Sequence, residues 1–324
     1  MIITESLAKG LKNRFLLEIN EEINARINST KKNTMGVKIS RNGWPKYVEK
    51  LKSSFGRCAL VCYEGGTKRK PYFAFCGLAI EENKPYNSWN EKCLYVVPMI
   101  VNHDPRFAQP SLSLFNLGEH AITRIFQRGD IVVSNESDVD IFSILPEFQL
   151  LPLWGSFWAR VLLELKQSNP ELDVRPVIPG KSGLFFSEYK GEVLGLVEIR
   201  TFVDNDQLSD LQREVRKIFI DASEGIEASP MAFFPANEFY GVDGIGLQLG
   251  VMSYRLAPHA KKIGKAFFYH IENCDQKQKS IDFLEKWLFE NSDGIDEEAS
   301  ALYKNEGIRH LHNSLRDLER RNPD

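Results

Sequence analysis

GLFFSEY (183–189) and EVLGLVEIRTFV (192–203), joined by Lys190 and Gly191, form the plainest strand pair in the chain. Both runs are rich in β-branched and aromatic residues, and a glycine-containing two-residue link suits a hairpin turn. Three runs upstream have the same character: RCALVCYEGG (57–66), PYFAFCGLAI (71–80) and KCLYVVPMIVNH (92–103). Gly, Pro, Asn and Lys clusters separate them, which predicts an antiparallel meander. A further short apolar run, DIVVS, spans 130–134.

Helical periodicity surrounds these strands. Leu7, Leu11, Phe15, Leu16, Ile19, Ile23 and Ile27 recur at steps of three and four, which predicts an amphipathic helix over residues 2–30. WPKYVEKLKSSF reads as helical from Pro45, a residue well tolerated in a first turn. LLPLWGSFWARVLLELKQ (150–167) predicts a buried helix through Lys166, its Trp154, Phe157, Trp158, Leu162 and Leu165 being core material. LSDLQREVRKIF (208–219) predicts another helix, with Ser209 as its N-cap. SIDFLEKWLF and the charged segment 297–321 predict a helical end, whereas residues 222–258 give no clear pattern. The expected class is α+β: antiparallel sheet or sheets flanked by helices, with helical N- and C-terminal segments. Turn residues in 168–182 suggest a boundary there. The expected units are a helical segment 1–56, an α+β domain 57–170 and a second α+β region 183–324. The two strand sets sharing one sheet is the alternative.

The chain has 324 residues, 43% of them hydrophobic and 26% charged, close to ordinary globular averages, which argues against extensive disorder. A formal net charge of −3 gives no whole-molecule field that would select an acidic or basic partner. Locally, residues 1–56 hold eleven Lys or Arg against five Asp or Glu, a basic arm that can attract phosphate or equally be a solvated helix. Cys58, Cys62, Cys76, Cys93 and Cys274 form an odd set without CxxC spacing and read as small buried hydrophobes in a reducing compartment. No run approaches the roughly 18 apolar residues of a membrane span, and no secretory h-region opens the chain, so a cytoplasmic location without membrane contact is expected.

NLGEHAITRIFQRG (116–129) is the segment richest in chemistry. On a helix, Ala121, Ile122, Ile125 and Phe126 share one face, and His120, Thr123, Arg124, Gln127 and Arg128 share the other. Asn116 with Glu119 suggests a capping box, and Gly129 a left-handed C-terminal stop. His120, Arg124 and Arg128 stack at steps of four. An imidazole exchanges protons near neutral pH, and guanidiniums stabilise charge building on phosphorus. The bland alternative is a solvent face paired with carboxylates such as Asp130.

HAITRIFQRG resembles the HAxxRxxxRG helix of small RNase toxins of the barnase, EndoU, colicin and RelE-like class. The resemblance implies metal-free RNA cleavage, with His120 transferring a proton and Arg124 and Arg128 holding phosphate. It further implies a hydroxyl or base from a later strand, for which Thr201 is the candidate. No cofactor is then needed, and RNA or another nucleic acid is the partner. The hairpin offers an alternative. Glu188 on one strand and Glu198-x-Arg200 on the next resemble restriction-endonuclease-class nucleases, in which paired carboxylates hold a divalent metal such as Mg. Arg200 stands where a lysine is expected, and arginine does not readily shed a proton. An exposed cross-strand ion pair is the simpler reading. A third alternative is a non-catalytic interaction protein docking a partner through its terminal helices.

Other polar groups rank lower. Asp204 and Asp206 suit a turn, His310 and His312 lie on different helical faces, and His259 and His270 suit packing. His103 and Asp104 could approach His120 if their loop folds back. P-loop, GxGxxG, GxSxG and zinc-ligand spacings are all missing, which counts against nucleotide hydrolysis, nicotinamide and esterase chemistry.

Overall fold

The strands on either side of residues 168–182 belong to one sheet. The computed structural model describes residues 3–34, 40, 42–56, 59–66, 71–81, 93–102, 109–110, 115–129, 139–168, 170, 173–189, 197–226, 243–297 and 300–301. Its strands are β1 (Ala59–Gly66), β2 (Pro71–Glu81), β3 (Cys93–Asn102), β4 (Gln109–Pro110), β5 (Phe115–Gly118), β6 (Val177–Pro179), β7 (Gly183–Tyr189) and β8 (Val197–Asp204). They order as β1-β2-β3-β5-β8-β7-β6, with β4 paired to β3. Every pairing is antiparallel except that of β5 with β8. That one parallel pair joins the meander to the hairpin, so the turn-rich stretch 168–182 connects elements of a single sheet.

The helices are α1 (Glu5–Thr34), α2 (Trp44–Phe55), α3 (Glu119–Arg128), α4 (Leu151–Ser168), α5 (Asp210–Ser223), α6 (Asp243–Leu256), α7 (Ala260–Phe267) and α8 (Cys274–Glu290). Most match the periodicity of the sequence, and α6 falls in the stretch that gave no pattern. The protein is thus α+β, and no described helix is long and apolar enough to cross a membrane. The DIVVS run, the Lys190-Gly191 link and the charged segment after residue 301 lie outside the described residues.

Alternation along the strands gives the sheet two faces. On one, Phe185 of β7 pairs directly with Phe202 of β8, and Phe148 packs on Phe185. Phe148 ends a 3-10 helix (Ile141–Phe148) and also meets Phe15 of α1, whose ring contacts Phe126 of α3 and Phe142. The apolar face of α1 is therefore occupied by core, with Phe15 and Ile19 fully buried. Burying one such phenylalanine stabilises by about 1.5–3 kcal/mol. As far as Ile19, the apolar stripe of the N-terminal helix docks internally.

The register Phe115–Val197–Tyr189 puts Phe115 on the Phe185 side, and α4 crosses β5 there at Gly155, where a Cβ would lie 2.3 Å from the Phe115 ring. Glycine is what permits that approach. Trp154 and Trp158 continue the layer against Phe219 of α5 and Phe267 of α7. Ser209 caps α5 in a complete capping box with Gln212, as its position in the sequence predicts.

Candidate functional site

Two expectations about residues 116–129 are corrected by the structure. Asn116 is not a helix cap: it lies in β5, paired with Tyr95 of β3 and Glu198 of β8. The N-cap position is Gly118, and no side chain caps it. β5 is too short to show alternation, and its strand state comes from the pairing partners on both sides. Gly129 has φ −70° and ψ 163°, so α3 ends in extended backbone, with the Gly129 amide donating to Ile125.

α3 has the two faces expected except at Thr123, which is buried and donates its hydroxyl to the Glu119 carbonyl at 2.8 Å. Ala121, Ile122, Ile125 and Phe126 are buried, and His120 is exposed. Along the polar edge, Arg124 Nε donates to His120 Nε2 at 3.4 Å, and Arg124 Nη1 donates to Gln127. Arg128 Nη1 reaches the carbonyl of Phe202 at 3.5 Å, on the stretch of β8 beyond the end of β5. Both guanidiniums thus hydrogen-bond to neutral acceptors, and neither forms a salt bridge with a carboxylate among the described residues. Burial, with the added repulsion of Arg124, holds the Arg128 guanidinium below the ordinary arginine value, and Asp204 offsets part of this. Near the start of the ridge, the Glu5 carboxyl is held below its usual range chiefly by Lys9, with smaller contributions from Arg124 and His120. Asp130, the carboxylate expected to pair with the ridge, lies outside the described residues, as do His103, Asp104, His310 and His312.

Thr201 pairs with Phe186 in the hairpin, one residue from the carbonyl that Arg128 contacts. It therefore neighbours the Arg128 end of α3. His120 lies eight residues earlier, about 12 Å along the axis at 1.5 Å per residue. Among the described residues, no hydrogen bond joins the Thr201 hydroxyl to His120.

The hairpin carboxylates do meet. Glu188 and Glu198 are direct cross-strand partners, and Arg200 lies 3.3 Å from Glu188 and 4.0 Å from Glu198. The exposed ion pair expected from the sequence is only half right, because the Glu198 side chain is 1% exposed. No cluster of three or more His, Cys, Asp or Glu side chains suited to a metal occurs among the described residues. Asp204 serves its turn, its carboxylate accepting from the Asp206 and Gln207 amides. His270 packs on Asp173, with Nε2 at 3.1 Å from its carbonyl and 3.3 Å from its carboxylate. No protein-family model, curated protein or solved structure matches this chain.

Proposed function

We propose that this protein acts on a nucleic acid, with the polar edge of α3 engaging the phosphodiester backbone in a metal-independent, RNase-like cleavage. The supporting observation is that Arg124 and Arg128 stand on one helical edge beside exposed His120, with neutral acceptors as their partners. Two neighbouring guanidiniums that form no salt bridge among the described residues repel each other, and a phosphate seated between them relieves that repulsion through charge-assisted hydrogen bonds. In the reaction, neutral His120 takes the proton of an RNA 2′-hydroxyl as its oxygen bonds to phosphorus. The bond from phosphorus to the 5′ oxygen breaks, water protonates that oxygen, and the products are a 2′,3′-cyclic phosphate and a 5′-hydroxyl end. Arg124 and Arg128 stabilise the charge on the phosphoryl oxygens in passage. Thr201 takes no part in this step.

The experiment is cleavage and binding of single-stranded RNA by the full chain. His120→Ala is expected to abolish cleavage and leave binding intact. Arg124→Gln is expected to weaken binding equally across sequences and to lower the slope of log affinity against log salt by about one. Unchanged cleavage in the first variant removes the catalytic role of His120, and unchanged binding in the second removes the ridge as the nucleic-acid contact.

A further inference from the structure

The β7–β8 hairpin is partly open on one of its two sides, next to α3. Phe185 and Phe202 pair on the side covered by Phe148, so their neighbours Phe186 and Thr201, also a direct pair, project to the opposite side. The register shifts between Phe186 and Ser187, which leaves Arg200 as an extra residue beside Thr201. On this side Phe186 and Glu188 of β7 and Thr201 and Val203 of β8 are partly exposed, whereas Phe185, Ser187, Ile199 and Phe202 opposite are buried. Leu184 and Glu198, buried on the same side as Phe186, bound the open stretch.

α3 forms the wall beside this stretch. β5 pairs with β8 only from Val197 to Ile199, and α3 starts directly after β5, so the helix runs along the part of β8 that lies beyond β5. Arg128 Nη1 marks that contact at the Phe202 carbonyl. The apolar side of α3 turns towards the Phe185 layer through Phe126, Phe15 and Phe148. Its polar edge, on the far side of the helix, therefore lies towards Phe186, with Arg124, Gln127 and Arg128 partly exposed. A strand spacing of about 4.8 Å and a rise of about 3.4 Å per residue put the Phe186 and Phe202 backbones about 6 Å apart. One aromatic ring thus stands near two guanidiniums that form no salt bridge with a carboxylate among the described residues.

We infer that Phe186 is a platform on which one unpaired base of the nucleic acid stacks, beside the backbone phosphate held at Arg124 and Arg128, with Thr201 and Val203 next to it on the sheet. This role rests on the reading of α3 as the phosphate contact, and it narrows the substrate to single strands. Every base has a π-face, so an aromatic ring takes one without regard to sequence while cations track the backbone. A base inside a duplex is covered on both faces and has to leave its stack to reach a protein ring. Phe186 suits the task because it packs on the core, which fixes the ring, yet stacks on no other ring among the described residues. Phe185, one residue earlier, has its ring against Phe148 and Phe202. The two guanidiniums favour a polyanion over a peptide, whose backbone is neutral.

The test follows, by fluorescence anisotropy, binding of the full chain to a labelled 2′-O-methyl RNA oligonucleotide, which lacks the attacking hydroxyl, as a single strand and as a duplex. Wild-type protein is expected to prefer the single strand. Phe186→Leu is expected to weaken single-strand binding about tenfold, with duplex binding and the salt slope unchanged, and Phe186→Tyr to keep wild-type affinity. A strand carrying 5-iodouracil, irradiated on the wild-type protein, is expected to crosslink within β7, which gives a reading even where Phe186→Leu does not fold. Single-strand binding that Phe186→Leu leaves unchanged, with Arg124→Gln still lowering the salt slope, overturns the stacking role alone, as does a crosslink confined to other elements. Failure of the wild-type chain to bind either form overturns the phosphate reading of α3 together with this one.

Discussion

Buried polar side chains are treated in opposite ways at two places on the sheet. At the β6–β7 turn, Glu147 is 5% exposed, yet both carboxylate oxygens accept from the Ser182 amide and one also accepts from its hydroxyl at 2.6 Å. Arg216 of α5 grips the same turn by donating to the carbonyls of Gly180, Lys181 and Gly183. Where the register sets Tyr95, Asn116, Glu198 and Glu188 in a row across β3, β5, β8 and β7, by contrast, the Asn116 amide has no hydrogen-bond partner at either end among the described residues. A closed network fixes a backbone and needs nothing more, whereas an incomplete one carries a cost that a binding partner can remove. The turn is therefore a closed network and the row an incomplete one.

The largest effect that would break this contrast is loss of the turn anchor. Glu147→Ala leaves the Ser182 amide and hydroxyl unpaired in a buried position and is expected to cost about 3 kcal/mol, since hydrogen bonds to a charged group contribute about 1.5–3 kcal/mol. Glu147→Gln keeps one acceptor and should cost less. Urea denaturation measures both, and a change below about 0.5 kcal/mol for the alanine variant would remove the turn as a structural network. The opposite sign is expected in the row. Asn116→Leu should stabilise by about 1 kcal/mol, because an unsatisfied amide is replaced by an apolar group of similar shape. Clear destabilisation there would put the row in the same category as the turn.

That contrast is not legible in the sequence, and the reason is physical. The helices α1, α4 and α5 and the strands β1 to β3 announce themselves because each buries one face, and burial imposes a period of 3.6 or 2 on the apolar residues. β5 has only Phe115 to Gly118, so no period can develop. Its neighbour Glu119 completes the N-x-x-E spacing of a capping box, and that local signal assigns Asn116 to the wrong element. Only the parallel pairing with β8, made by a distant part of the chain, puts Asn116 beside Glu198. The α3 ridge shows the other case: its spacing is local, so His120, Arg124 and Arg128 are visible at once. Their neutral hydrogen-bond partners appear only in the fold.

His270 lies between the two extremes and gives the smallest expected effect. Its Nε2 faces Asp173, while its buried Nδ1 has no hydrogen-bond partner among the described residues. Desolvation lowers its pKa from the ordinary 6.5, Arg175 and Lys277 push the same way, and the Asp173 charge and backbone contact oppose them without prevailing. As pH falls past about 6.5, the unfolded chain takes up this proton before the folded one does. Stability from this residue is therefore complete above that pH and declines on acidification until the folded-state value is passed. The slope is isolated by subtraction, comparing wild-type protein with His270→Gln in urea melts from about pH 7.5 down to 5.5. The wild-type curve is expected to fall more steeply, because glutamine cannot be protonated in that range. Parallel curves would mean that Asp173 fully compensates burial, which would move His270 from the incomplete class to the satisfied one.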